Sequence, residues 1–129
     1  MHYPSLDLLV RIKNAYQAGK KQVKAPASNF IIALADLIKA NNFIKDYTVT
    51  EDDGKRQISL NLIYNNNIPV MSGLKIYSKP GRRIYCQSQN IPWGNRPDAL
   101  IIISTSSGLK NQRQAQKAGQ GGELIAQIW

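Results

Sequence analysis

The chain has 129 residues, 43% of them hydrophobic and 19% charged, and carries 17 Lys and Arg against 8 Asp and Glu for a formal net charge of +9. That length suffices for one domain or two small ones burying about two-thirds of the surface that the unfolded chain exposes. One cysteine and one histidine exclude an internal disulfide and any familiar zinc site, and no apolar run approaches the ~20 residues that span a bilayer.

Ser5 and Asp7 precede Leu8, Leu9, Ile12, Ala15 and Tyr16, an apolar set at helical spacing that Gly19 ends, so the chain is expected to open on an amphipathic helix. Lys20, Lys21 and Lys24 follow as a solvated basic run or an arm that touches phosphates, and Val23 with Ala25-Pro26-Ala27 predicts a short edge strand. Ser28 is the expected N-cap of a second helix whose apolar face is Phe30, Ile31, Leu34, Leu37 and Ile38, closed by Asn41-Asn42. Stretches 43–50 and 56–64 are β-patterned, and the Asp53-Gly54 pair between them is a strong signal for a tight hairpin.

Asn65-Asn66-Asn67 breaks that pattern and is the expected boundary. The fold class is therefore α+β with two small subdomains: residues 1–66 form a helix-strand-helix-strand-strand layer, and residues 67–129 are mainly β with one short helix.

In the second part, stretches 74–78 and 82–86 are expected to form a hairpin around Lys79-Pro80-Gly81, where Pro sets the first corner of a type II turn and Gly the second. It carries Lys75, Lys79, Arg82 and Arg83 with Tyr77 and Tyr85 interleaved, charges and rings either sharing one face or straddling two, and strand alternation would put Arg83 and Tyr85 on the same side. The polar stretch 87–97 is read as a connection whose one large anchor, Trp93, docks on the core. Then come a buried strand at 99–103, the hydroxyl turn Ser104-Thr105-Ser106-Ser107 closed by Gly108, and a polar helix at 111–118 ended by Gly119. Lys110, Arg113 and Lys117 fall at helical spacing there, and 124–129 is a final strand.

Taken alone, the hydroxyl run would merely cap the following helix. Charge argues for more. Residues 1–53 hold seven Lys and Arg against six Asp and Glu, whereas residues 54–129 hold ten against two, Asp98 and Glu123. Such an asymmetry calls for a polyanionic partner, nucleic acid first and an anionic membrane surface second. A carboxylate in that setting, Glu123, either orients Lys or Arg or accepts a hydrogen bond from a base or a 2′-hydroxyl, unless it is a plain surface residue of a tight turn. Gly121 and Gly122 beside it let the backbone come close to something.

Catalysis has little support. His2, the lone histidine, stands at the terminus, so a hydrolase built on Ser104 or Ser106 lacks a base within the folded body. The segment Gly119-Gln120-Gly121-Gly122 is not a phosphate loop, and Cys86 reads as a buried apolar residue at a strand end. The chain is expected to be no enzyme, with no metal, cofactor or small-molecule substrate. The start of the chain lacks the basic-then-apolar order of a signal peptide, and a reducing cytoplasm or an equivalent compartment such as an organelle interior is expected.

Stretch 7–15, Pro26-Ala27-Ser28, stretch 78–85, stretch 104–108, and Gly121-Gly122-Glu123 with Trp129 together resemble the small-subunit ribosomal protein eight family in its bacterial and organellar form. The resemblance runs in order from residue 7 to residue 129. It implies two α+β subdomains and a structural role in the small ribosomal subunit, binding the central domain of its RNA directly and helping assembly beside neighbouring ribosomal proteins. Residue by residue, it implies that Ser104, Thr105, Ser106 and Gly108, with Glu123 on a facing turn, form the main RNA surface, flanked by Tyr85 and by Lys79, Pro80, Gly81 and Arg82. Arg83, Lys110, Arg113 and Lys117 would add contacts to phosphates. Two residues depart from the family pattern: Ser107, usually basic or polar such as Lys, and Gln120, commonly apolar. A free-standing RNA-binding regulator of translation would use the same residues.

Overall fold

A computed structural model describes residues 3–129, with side-chain surroundings from Leu6 onward, and divides them into two units, Pro4–Ser72 and Gly73–Trp129, Tyr3 being grouped with the latter. The first unit opens on helix α1 (Tyr3–Gln17), which buries Leu8, Leu9, Ile12, Ala15 and Tyr16. The helix begins ahead of the expected Ser5, with Pro4 in its first turn, where a missing N–H leaves no bond unmade.

Strand β1 (Gln22–Pro26) lies at a sheet edge and buries Val23 and Ala25 on one side. Ser28 caps helix α2 (Asn29–Ala40), its hydroxyl accepting from the Ile31 N–H at 3.2 Å. Strands β2 (Asp46–Asp52) and β3 (Lys55–Asn61) form the expected hairpin, and β3 is central in the order β1-β3-β2. Asp53 and Gly54 have φ of 51° and 75°, the paired positive angles of a type I′ turn, whose twist matches that of the strands.

Phe43 and Ile44 differ from expectation: they are buried in the connection before β2 rather than paired within it. The asparagine run lies inside the first unit. Asn66 and Asn67, at φ 52° and 65°, turn the chain between β4 (Tyr64–Asn65) and β5 (Ile68–Pro69), and the division falls later, at Ser72 and Gly73.

The second unit is organised on its last strand. It contains β6 (Leu74–Ile76), β7 (Tyr85–Cys86), β8 (Leu100–Thr105), β9 (Gly108–Lys110), α3 (Gln112–Ala118) and β10 (Gly122–Ile128). β10 is buried from Glu123 to Ile128 and pairs antiparallel with β8 on one side and with both β6 and β7 on the other.

The hairpin expected between 74–78 and 82–86 does not form as a ladder. β6 pairs with Ala126, Gln127 and Ile128, β7 pairs with Gly122 and Glu123, and between them only Lys79 and Arg82 bridge. Both stretches satisfy their backbone groups on the apolar β10 instead: the Tyr77 N–H donates to the Ile125 carbonyl at 3.0 Å and the Leu124 N–H to the Ile84 carbonyl at 2.8 Å. The buried Ser78 hydroxyl fastens the base of the loop, donating to the Leu124 carbonyl at 2.6 Å and accepting from the Ile84 N–H at 3.0 Å. Lys79-Pro80-Gly81-Arg82 is thereby looped out as a tight turn, with Gly81 at the φ of 83° that a type II corner needs.

On one face of this sheet α3 packs against β8, and Ile101, Ile103, Ala115 and Leu124 form a core cluster with Tyr77, Ile84, Cys86 and Ile91 around it. The anchor of the 87–97 connection is thus Ile91, not Trp93, which is 95% exposed. Gly94 packs so closely that an added Cβ would come within 2.9 Å of the Ala99 Cβ and 3.0 Å of the Arg96 carbonyl oxygen.

Candidate nucleic-acid interface

The hydroxyl run is the tip of the β8–β9 hairpin. Thr105 pairs with Gly108, so Ser106 and Ser107 are the two turn residues and Gly108 follows at φ 111°. None of the hydroxyls caps a helix: that role belongs to Asn111, whose side chain accepts from the Gln114 N–H at 2.8 Å while the Gln114 amide oxygen accepts from the Asn111 N–H at 2.9 Å.

The hydroxyls have different tasks. Thr105 donates to the Gly108 carbonyl at 2.8 Å and accepts from the Ser107 N–H at 3.1 Å, so it holds the turn in shape. Ser107 accepts from the Gln120 amide at 2.7 Å, tying the turn to the end of α3. The exposed Ser106 hydroxyl has no hydrogen-bond partner among the described residues, which leaves both its donor and its acceptors for a ligand.

Ser107 and Gln120, the two residues expected to depart from the family pattern, are therefore partners. Sequence reasoning noted each but not the bond between them; their coincidence in one chain was the signal.

Glu123 differs from expectation. It is not in a turn but in β10, only 7% exposed, with Ser104 opposite it on β8 and Tyr85 opposite it on β7. Directly opposed residues of neighbouring strands share a face about 4.5–5.5 Å apart. Tyr85, Glu123 and Ser104 consequently form one row across three strands. Tyr85 is 66% exposed, Ser104 half-buried, and Glu123 lies covered between them. This face is opposite to the α3 cluster, because Ile84, Cys86, Ile103 and Leu124, the neighbours of the row residues along their strands, point into that cluster.

Gly121 and Gly122 come close to the protein's own strands. A Cβ on Gly121 would lie 2.3 Å from the Cys86 carbonyl oxygen, and one on Gly122 would lie 2.1 Å from that of Ser104. Only glycine at both positions lets β10 enter between β7 and β8 and set Glu123 beside Ser104.

The basic residues divide between two places. Lys79, Arg82 and Arg83 are exposed on and beside the looped-out turn, and Arg83 and Tyr85 share the exposed side of their stretch, as alternation predicts. Arg113 and Lys117 are exposed on α3, on the other face of the sheet from the row. Lys110 is not a helix residue: it ends β9, paired with Ile103, because the Asn111 cap starts the helix after it.

Cys86 packs beside the core cluster, and burial pushes its thiol above the ordinary value against a smaller lowering effect of the Gly122 backbone. His2 lies outside the described residues. Among the described residues, no helix is long and apolar enough to cross a membrane.

The family model described as Ribosomal protein S8 matches residues 4–129. The small ribosomal subunit protein uS8 of Thermosipho africanus is 42% identical over 130 residues, covering 98% of this chain and 97% of that protein. The protein of the same name from Streptococcus mutans is 42% identical over 127 residues, covering 98% and 96%, and that from Mycoplasma mobile 39% over 126 residues, covering 98% and 95%.

Proposed function

Since this chain belongs to the ribosomal protein S8 family, we propose that it is a structural, non-catalytic component of the small ribosomal subunit and binds the central domain of the subunit's RNA directly during assembly. The observation that carries the reading is the row of Tyr85, Glu123 and Ser104, continued at the hairpin tip by an unpartnered Ser106 hydroxyl.

An RNA helix hides its base edges in a deep major groove and displays 2′-hydroxyls across a shallow minor groove. Small hydroxyl side chains enter that surface without bulk. The Ser106 and Ser104 hydroxyls exchange hydrogen bonds with ribose 2′-hydroxyls or base edges, and the Tyr85 ring covers a sugar or base beside them. Glu123 only accepts when ionised, so it favours a hydroxyl or amino group and repels a phosphate, which fixes where along the row the backbone runs. Lys79, Arg82 and Arg83 hold phosphates on the Tyr85 side. Thr105 and Gly108 act by holding the hairpin tip in shape.

Purified protein is titrated, in moderate salt, with a central-domain fragment of small-subunit ribosomal RNA and with an unrelated duplex of equal length. A large preference for the fragment is the expected result. Equal and steeply salt-dependent binding of both RNAs would leave only a non-specific polycation and overturn the reading.

A further inference from the structure

We infer that Trp93 is a stacking platform for an unpaired nucleobase, a second RNA contact on the face of the sheet that carries α3; this rests on the RNA-binding role proposed above. Trp93 is the most exposed large apolar residue among those described, at 95%, and its surroundings make it a rigid display.

On one side Ile91 packs against the core cluster. On the other, the Asn95 N–H donates to the side-chain oxygen of Gln127 at 2.6 Å, and the Gln127 amide donates in turn to the Tyr77 hydroxyl at 2.7 Å. Gln127 is a polar residue only 1% exposed, and holding this loop is what satisfies it. The loop is closed again by the Ala99 N–H on the Arg96 carbonyl at 3.0 Å and by Arg113, which reaches the Pro97 carbonyl at 3.4 Å. An aromatic ring held out on a pinned loop gives up little conformational entropy when something lies on it.

The neighbours of the ring select the ligand. A protein-binding hot spot sits within a wider apolar patch that excludes water, whereas residues 94–98 here are exposed and include no large apolar side chain. Trp93 is a single flat ring on a loop that also carries Arg96, paired at 3.5 Å with the exposed Asp98, and that Arg113 reaches at the Pro97 carbonyl. The unit that bears it has eight Lys and Arg against two Asp and Glu. One aromatic face amid cations is the composition that receives a base and its flanking phosphates. Gln127, which pins the loop, pairs with Ile101 of the α3-face cluster beyond the bulge of β10, whereas Glu123 lies on the opposite face of the sheet. The two contacts therefore engage separate nucleotides.

The test follows Trp93 emission, isolated by subtracting the spectrum of Trp93→Phe, while the central-domain fragment is added to the full chain. Stacking is expected to shield Trp93 from acrylamide. Trp93→Ala, a change at an exposed position, is expected to weaken fragment binding about tenfold, within the roughly 5- to 150-fold that one stacked base is worth, and Trp93→Phe to recover most of it. If the fragment is bound with preference over the duplex but Trp93 stays as quenchable as in the free protein and Trp93→Ala binds normally, the inference is overturned and the RNA-binding role stands. Shielding that comes only with other small-subunit proteins would overturn it in favour of a protein partner. No preference for the fragment by the unaltered chain would overturn both.

Discussion

Ser106 and Ser107 are adjacent residues of the same type in one turn, and the structure separates their roles by their partners. Ser107 spends its hydroxyl on Gln120, and Ser106 has none within the described chain. Ser106→Ala is therefore expected to leave stability unchanged and to weaken binding of the central-domain fragment by about 1–3 kcal/mol, the cost of hydrogen bonds lost from a desolvated site. Filter binding against fragment and unrelated duplex checks it; an equal loss on both would deny Ser106 a part in specificity. The Ser107–Gln120 bond predicts coupling instead. Ser107→Ala and Gln120→Ala, measured by urea unfolding alone and together, are expected to be non-additive by about 0.5–1.5 kcal/mol, the net worth of one hydrogen bond. Additivity would mean that the Ser107–Gln120 bond contributes nothing to stability.

β10 is the element whose entry sets the site, and Gly122 is its tightest point. Gly122→Ala places a Cβ against the Ser104 backbone oxygen, and is expected to cost at least the ~1–3 kcal/mol of an overpacked core position and to abolish fragment preference by moving Glu123. Thermal unfolding and binding measured on the same preparation check both. In the first unit Tyr16 ties α1 to two connections, donating to the Phe43 carbonyl at 2.7 Å and accepting from the Ile63 N–H at 3.1 Å, with Tyr64 edge-on at 5.5 Å. Tyr16→Phe leaves two partly or fully buried backbone groups unpaired, an expected loss of about 1–3 kcal/mol. Burial raises the Tyr16 pKa above its ordinary value. A raised folded-state pKa means that this contribution is whole below the ordinary tyrosine value near ~10 and is lost as pH rises through the folded value. The stability gap between the native chain and Tyr16→Phe should thus be constant at neutral pH and shrink in alkali; a gap that widened there would reverse the sign.

The charge of the whole molecule is uneven: of the +9, +6 belongs to residues 73–129 and +3 to residues 4–72. Binding of any RNA should therefore fall steeply with salt. Lys117 is exposed on α3, apart from the Tyr85–Glu123–Ser104 row. Lys117→Ala is expected to weaken fragment and unrelated duplex alike and to reduce the salt slope by about one unit or less. A loss confined to the fragment would place Lys117 in the specific site.

What was legible along the chain was what neighbouring residues impose on one another. The Ser28 cap, the Asp53-Gly54 and Pro80-Gly81 turns, the buried strand before the hydroxyl turn, the charge bias and the family motifs all depend on residue type and short spacing, so they hold wherever the rest of the chain goes. The partners of each strand were not legible. The 74–86 stretch carries good hairpin signals, yet β10, thirty-six residues beyond Cys86 at its start, is the strand both of its halves pair with. Once β10 lies there, register places Glu123 beside Ser104 and Tyr85, and steric room requires glycine at 121 and 122. In the same arrangement Ile91 takes the place against the core and Trp93 is left exposed. Side-chain type told that polar, aromatic and basic groups were available for RNA; closure of strands distant in sequence, which rests on long-range burial and register, chose which of them share a face.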